Sequence, residues 1–355
     1  MKEQKFIIEN QESFELKDIF ECGQCFRWNK INNQEYIGVV KNAVISVKKE
    51  QNDFVFTGAF LREPKNIRVN NICDKNICDR DICDRNICDR NICDNNICDR
   101  DICDNNIWHN NYSYLNNKVY NNNDSFDFHS LIKDYFDLDT NYSLYKDKLS
   151  KVDGFLLESI KFGECIRILN QDLWETIISF IISANNNIPR IKKIIERLSK
   201  EYGKKIVFND IDYYTFPTPL ELSKASIKDL RNLGLGFRDE RVFNTTRKIL
   251  TNEINLEIIK NMNNTDKMRE ELLKLDGVGP KVADCILLFA LKRRDVFPVD
   301  VWVRRVMNDL YIHNENEEKV NKKELQKLAE QKFLGLSGIA QQYLFYWKRE
   351  EGKGA

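Results

Sequence analysis

The chain has 355 residues, 42% of them hydrophobic, which is enough to bury one or two cores. Lys plus Arg and Asp plus Glu both number 55, so the net charge is zero and an anionic partner would have to be met by a local basic patch. No apolar run approaches the roughly 18 residues of a membrane span, and the opening MKEQKFIIEN has no signal-peptide core, so a cytoplasmic protein that enters no membrane is expected.

Residues 1–69 read as a small β-rich domain. EYIGVVKNAVISVKKE (35–50) and DFVFTGAF (53–60) alternate loosely in β-branched and aromatic residues, with Asn-rich turns between them. Residues 70–125 read as a repeat insertion and linker, in which a five-residue unit built on Ile-Cys-Asp recurs seven times with a degraded eighth copy. Five residues turn a helix by about 500°, so the isoleucines would wind around it without forming a stripe, and an amphipathic helix is excluded. A loosely ordered surface insertion is the expected reading. A short pentapeptide solenoid and a cysteine metal site stay open, although paired metal-binding cysteines are usually closer together. Outside the repeat, Cys22, Cys25, Cys165 and Cys285 are scattered and expected to be reduced thiols.

Residues 126–355 read as helical. LWETIISFIISA and IPRIKKIIERLSKEYG are amphipathic or core runs, broken by the turn signals FPTP and LGLG, and Pro189 and Pro280 suit the first turns of helices.

The segment LDGVGPKVADC (275–285) carries the densest signal. DKMREELLKL reads as a helix ending near Leu275, and Pro280 opens the next. Gly277 and Gly279 are expected to supply the positive φ angles of the tight turn between them. Helices joined in this way aim backbone N–H groups at a phosphate, giving a helix-hairpin-helix over 266–291 that would hold a DNA backbone without reading its sequence. A plain connection between two helices would carry the same glycines. Lys281 and Cys285 are four apart and share a helix face. Asp300, in FPVDVWV, reads in isolation as a helix N-cap. Converging with a desolvated lysine, it would fit nucleophilic catalysis by an amine.

LDGVGPKVADC followed by VFPVD resembles the helix-hairpin-helix and Gly/Pro–Asp signature of base-excision DNA glycosylases, and within them the 8-oxoguanine DNA glycosylases. CGQCFRW (22–28), FIISANNNIPRI (180–191), LGLGFRDERV (233–242) and IAQQYLF (339–345) resemble further segments of that family in the same order. The resemblance implies an α+β fold, with a small antiparallel N-terminal sheet domain beside a mainly α-helical glycosylase domain. It implies a bifunctional enzyme in which Lys281 attacks C1′ of the damaged nucleotide, expels the base and forms a Schiff base, after which β-elimination cuts the strand. Asp300 would stabilise the cationic sugar. Attack near neutral pH requires the Lys281 amine to lose its charge in a desolvated site. Gln341 would read the extruded base while Phe345 and Cys285 cover its two planes, and the Gly23 carbonyl would accept the N7–H that distinguishes 8-oxoguanine from guanine. Asn185 would fill the gap in the stack, Arg190 and Arg238 would hold the widowed cytosine, and Phe237 would wedge beside it. Gly277 and Gly279 would carry the phosphate contact.

The same resemblance implies no required cofactor, a possible structural cation on the carbonyls of Leu273, Leu275 and Val278, and a monomer bound to double-stranded DNA, nucleoid-associated if bacterial. With no cysteine after Cys285, the four-cysteine iron–sulfur cluster of related branches is excluded. Two positions depart from the animal-type pattern: Trp302 replaces a phosphate-binding histidine, and Phe237 stands where tyrosine is frequent. The repeat, with alternating Asp and Arg, is expected not to touch DNA. Two other readings remain at this point, a glycosylase for a different oxidised or ring-opened purine and a DNA-damage binding module without catalysis.

Overall fold

In a computed structural model, residues 4–9, 14–61 and 127–352 are described. The repeat lies outside the described residues, with the three readings given for it. Strands β1 (Gln4–Ile8), β2 (Trp28–Asn32), β3 (Glu35–Val40), β4 (Ala43–Glu50) and β5 (Asp53–Phe60) form one antiparallel sheet in the order β1-β5-β4-β3-β2. The turns between β3, β4 and β5 place Lys41 and Gln51 in the left-handed region, at φ 53° and 58°.

One sheet face is covered by an aromatic cluster. Phe14, the short helix α1 (Leu16–Phe20) and helix α2 (Phe128–Tyr135) pack there, and Phe136 meets Phe56 at 5.1 Å and Trp28 at 5.8 Å between ring centroids. The other face buries Ile37, Val39, Val44 and Ala59 beneath Ile206 and Phe208. Those two belong to a hairpin, β6 (Lys205–Phe208) and β7 (Ile211–Tyr214), set inside the part of the chain read as helical. The hairpin is an addition to the mainly helical reading of this part of the chain, which did not include it. Asn209 and Asp210 take φ 49° and 58°, the left-handed pair a two-residue hairpin turn needs, and KIVF alternates exposed and buried side chains.

The remaining described elements are helical: α3 (Tyr142–Ser150), α4 (Gly154–Phe162), α5 (Leu173–Ser183), α6 (Ile188–Tyr202), α7 (Pro219–Leu222), α8 (Ile227–Asn232), α9 (Asp239–Leu250), α10 (Leu256–Lys260), α11 (Thr265–Leu273), α12 (Pro280–Ala290), α13 (Val301–Met307), α14 (Lys322–Lys332) and α15 (Ser337–Glu351). Asx caps start many of them; Asp172, Asn187, Asn264 and Asp300 each accept a backbone N–H of the first turn. Helices α5 and α12 are apolar on nearly every face and pack against each other as the centre of the helical core.

Residues 22–28 join sheet and helices. The fully buried Gln24 amide donates to the carbonyls of Ile19 (2.8 Å) and Arg167 (2.7 Å), and accepts from the Leu169 N–H (2.8 Å). Arg27 donates to the Ser199 hydroxyl and to the Tyr214 carbonyl. Removing either side chain would leave buried partners unpaired, at a cost of roughly 1–3 kcal/mol per group.

Candidate active site

Helices α11 and α12 meet in the expected hairpin, but its two glycines do different things. Gly277 is left-handed at φ +84°, whereas Gly279 is extended at φ −94°, ψ 179° and serves as the N-cap of α12. Positive φ at both glycines is therefore a mistaken expectation. One left-handed residue closes the turn, with the Val278 N–H donating to the Leu275 carbonyl at 3.1 Å. At Gly279 a Cβ would meet nothing within 4 Å, so this glycine keeps the approach to the first turn of α12 open. Helix α9 braces the hairpin from behind: Thr245 donates to the Asp276 carbonyl at 3.0 Å and Lys248 to the Lys274 carbonyl at 2.8 Å.

Lys281 follows at the second position of α12. Its ammonium lies 5.3 Å from the centroid of the Phe180 ring and hydrogen-bonds the sulfur of the buried Cys285. Asp300 caps α13, one carboxylate oxygen accepting the Val303 N–H at 2.8 Å, and its charge acts on the same amine. Burial works against the charged amine, but the Cys285 sulfur and the Asp300 carboxylate outweigh it and hold the Lys281 pKa above the ordinary lysine value. Burial also pushes the Cys285 thiol up to about 11. In the resting protein the neighbours of Lys281 thus favour its charged form, against the burial that would remove the charge. The reason is local: apolar neighbours remove water, yet the Cys285 sulfur and the charge of Asp300 both favour the ammonium.

Gln341 and Phe345, on α15, pack with Phe297, Val303, Met307 and Leu344 around a closed apolar cleft that leaves no room for a water molecule. Val303 and Met307 belong to α13, the helix that Asp300 caps, so the pocket and the carboxylate share one element. Gly23 packs directly on Phe345: a Cβ there would lie 3.2 Å from the ring, and its φ of +88° also disfavours any side chain. The structure therefore groups Gly23 and Gln341 with Phe345, and groups Lys281 with Cys285 under the charge of Asp300.

The sequence reading missed Arg349. Its guanidinium lies 5.2 Å from the centroid of the Phe345 ring and donates to the Glu21 carbonyl, two residues before Gly23. The i+4 spacing from Phe345 is the signal that would have found it. Phe180, the ring beneath the Lys281 ammonium, was likewise unread, although it begins the quoted FIISANNN segment.

A different surface lies just past the C-terminal end of α5. Asn185 is exposed in the left-handed region at φ 51°, and Phe237 is 55% exposed. Phe237 is stacked by Arg238 at 4.2 Å and by Arg241 at 5.2 Å. Arg190 is exposed, with a long contact of 3.4 Å to the Gly234 carbonyl. Arg238 is 2% exposed and makes four bonds, two to the Ala184 carbonyl and one each to those of Leu235 and Asn185. Of its five donors this leaves one, so the side chain chiefly fixes the Asn185 turn. Trp302 is 49% exposed beside Asp300, with Arg305 stacked 5.6 Å from its ring centroid.

Two family models match the chain. Residues 6–177 match the 8-oxoguanine DNA glycosylase N-terminal domain, and residues 178–331 match the HhH-GPD superfamily base excision DNA repair protein. A probable N-glycosylase/DNA lyase of Methanothermobacter thermautotrophicus is 34% identical over 237 residues, covering 61% of this chain and 72% of that protein. The N-glycosylase/DNA lyase of Saccharomyces cerevisiae is 40% identical over 152 residues, 40% of either chain. In structure, the chain is similar to the Clostridium acetobutylicum 8-oxoguanine glycosylase/lyase solved on double-stranded DNA with cytosine opposite 8-oxoguanine. That likeness has a TM-score of 0.75 at 36% identity and covers 99% of this chain and 98% of that one.

Proposed function

This chain belongs to the 8-oxoguanine N-glycosylase/DNA lyase family of helix-hairpin-helix base-excision enzymes, and from that membership we propose that it removes 8-oxoguanine from duplex DNA and then cuts the strand. Lys281 is the nucleophile. Its nitrogen bonds to C1′ as the glycosidic bond breaks, and the departing base keeps the bonding electrons and takes up a proton. The sugar opens to the iminium, a proton leaves C2′, and the C3′–O bond breaks with the 3′ phosphate as leaving group.

Asp300 stabilises positive charge as it develops at C1′, with its position fixed by the cap it makes on α13. Because the resting Lys281 is an ammonium, attack follows loss of a proton as the lesion enters. Phe345 and Cys285 sandwich the extruded base, Gln341 reads its edge, and the Gly23 carbonyl accepts the N7–H. Gly277 and Gly279 hold the hairpin against a backbone phosphate. Asn185 and Phe237 fill the stack, Arg190 meets the opposite cytosine, and Arg238 adds its one remaining donor.

The reacting nitrogen is the protein's own, so the reaction draws on no organic cofactor or iron–sulfur cluster. The carbonyls of Leu273, Leu275 and Val278 lie at or just after the C-terminal end of α11 in the chain, where the helix dipole favours a cation, and would hold one between hairpin and phosphate. Lys248 already meets the neighbouring Lys274 carbonyl, so part of that role is filled by the chain itself. Among the described residues no helix is long and apolar enough to cross a membrane. A monomer acting in the cytoplasm, on the nucleoid in a bacterium, is the setting this substrate implies.

The observation that carries the reading is Lys281 in contact with the Cys285 sulfur and under the charge of Asp300, one turn inside the hairpin. Borohydride trapping tests it, on a labelled duplex with one 8-oxoguanine opposite cytosine, with wild type beside Lys281→Gln. A covalent adduct on the lesion duplex alone, lost in the variant, is expected. No adduct despite lesion binding would replace the reading with a damage binder. An adduct only with another oxidised purine would keep Lys281 and overturn the assigned base.

A further inference from the structure

Helix α6 carries Arg190, Lys193 and Arg197 on one face, at the i, i+3, i+7 spacing that aligns side chains along a helix. They line a groove of about 400 Å³ whose opposite side is the turn at Gly234. Among the described residues none of the three has a carboxylate within ion-pair reach. Arg190 and Arg197 reach only the carbonyls of Gly234 and Leu233, at 3.4 and 3.5 Å. The adjacent Lys192 behaves differently, since it is committed to the Trp28 carbonyl on the sheet side. The Gly234 turn on the far side of the groove leads within three residues to the exposed Phe237, over which Arg241 lies, so further positive charge follows the groove in a chain whose net charge is zero.

We propose that Lys193 and Arg197 make this groove a docking site for the sugar-phosphate backbone of duplex DNA, extending past Arg190, which meets the opposite base; it rests on the reading of the chain as a DNA enzyme. The polar chemistry of the lining decides the ligand class. Its free groups are cationic donors, and the Asn187 side-chain oxygen is already occupied by the Arg190 N–H at 3.0 Å. A phosphodiester offers acceptors only and matches such a lining, whereas a base edge also presents donors that would find no acceptor. Arg190 to Arg197 spans about 10 Å of helix axis, close to three base steps along one strand at about 3.4 Å each.

The test measures affinity for an undamaged duplex across a salt series, with wild type beside the Lys193→Gln/Arg197→Gln double variant. Each lost phosphate contact should make the slope of log affinity against log salt shallower by about 0.9, so a change of about 1.8 is expected. Duplexes with 8-oxoguanine opposite cytosine and opposite adenine should weaken by the same factor as the undamaged one. Single-turnover excision with enzyme in saturating excess should keep the wild-type rate. Lys193→Arg/Arg197→Lys, which keeps both charges, should retain the wild-type slope. An unchanged slope in the double variant overturns the proposal. A loss confined to one opposite base also overturns it, because that marks a base reader. If the wild type binds duplex but excises no 8-oxoguanine, the functional reading fails while the salt series still decides the groove.

Discussion

Around Lys281 the protein is dry and cross-braced, whereas around Arg190 it is open and rich in unpaired cations. The first region holds a buried thiol, a capped carboxylate and a ring pinned between Gly23 and Arg349. The second holds an exposed phenyl ring, an exposed left-handed asparagine and three arginine or lysine side chains with no described acid partner. On the proposed function the difference separates two tasks. Discrimination between bases that differ by a proton and an oxygen needs desolvated, fixed contacts, because water would satisfy either base equally. Grip on a charged polymer needs only charge near its backbone, and works through solvent and counterions. On the proposed function the hairpin belongs to both regions, since its turn would face a phosphate while its second helix carries Lys281.

The largest expected effect sharpens this contrast through pH. The Lys281 ammonium is favoured in the resting protein, so the fraction of neutral amine rises about tenfold per pH unit below its pKa. Excision measured as kcat/KM should climb by roughly that factor per unit from pH 6 to pH 9, in wild type and in rim variants alike. The raised pKa adds stability below the unfolded lysine value near 10.5 and loses it only above the folded value, so no unfolding accompanies the climb. A flat profile would mean that the amine is already neutral before the lesion arrives, and would remove the electrostatic half of the contrast.

Gly23→Ala should have the next effect. The new methyl would press on Phe345 at 3.2 Å and on the Arg349 guanidinium at 3.1 Å, with the backbone strained at φ +88°. We expect 8-oxoguanine excision to fall roughly 100-fold, within the range for a misfitted methyl group. Strand cleavage at a preformed abasic site should change much less, since no base has to enter the pocket. Equal losses in both assays would show that Gly23 supports the fold and not the choice of base.

Arg349→Ala is expected to do less. It frees Phe345 and the Glu21 carbonyl together, and the ratio of 8-oxoguanine to guanine excision should drop about tenfold, with Arg349→Lys recovering part of it through the retained hydrogen bond. Repeating the comparison at two salt concentrations separates the regions: this variant's deficit should not change with salt, whereas a groove variant's should. A salt-dependent deficit at Arg349 would place it with the rim.

The sequence by itself determined a good deal. GVGPK fixes a hairpin because a left-handed turn residue and a proline at a helix start leave few other conformations, and the spacing of Gln341 and Phe345 puts them on one helix face. Asp300 was legible as a cap, and the structure has it as one. Tertiary structure alone decided the rest. The protonation state of Lys281 depends on which atoms touch its nitrogen, and helical spacing could suggest Cys285 but could not weigh it with Asp300 against burial. Arg238 looked like a free donor, yet three of its four bonds go to the carbonyls of Ala184 and Asn185, far back in the chain. Gly279 was misread because glycine permits positive φ without requiring it, and the chain direction into α12 set the angle instead. The hairpin at 205–214 went unseen because four-residue strands carry little periodicity until the sheet they cover is in place. Local conformation follows from neighbours along the chain, whereas charge state and donor occupancy follow from neighbours in space.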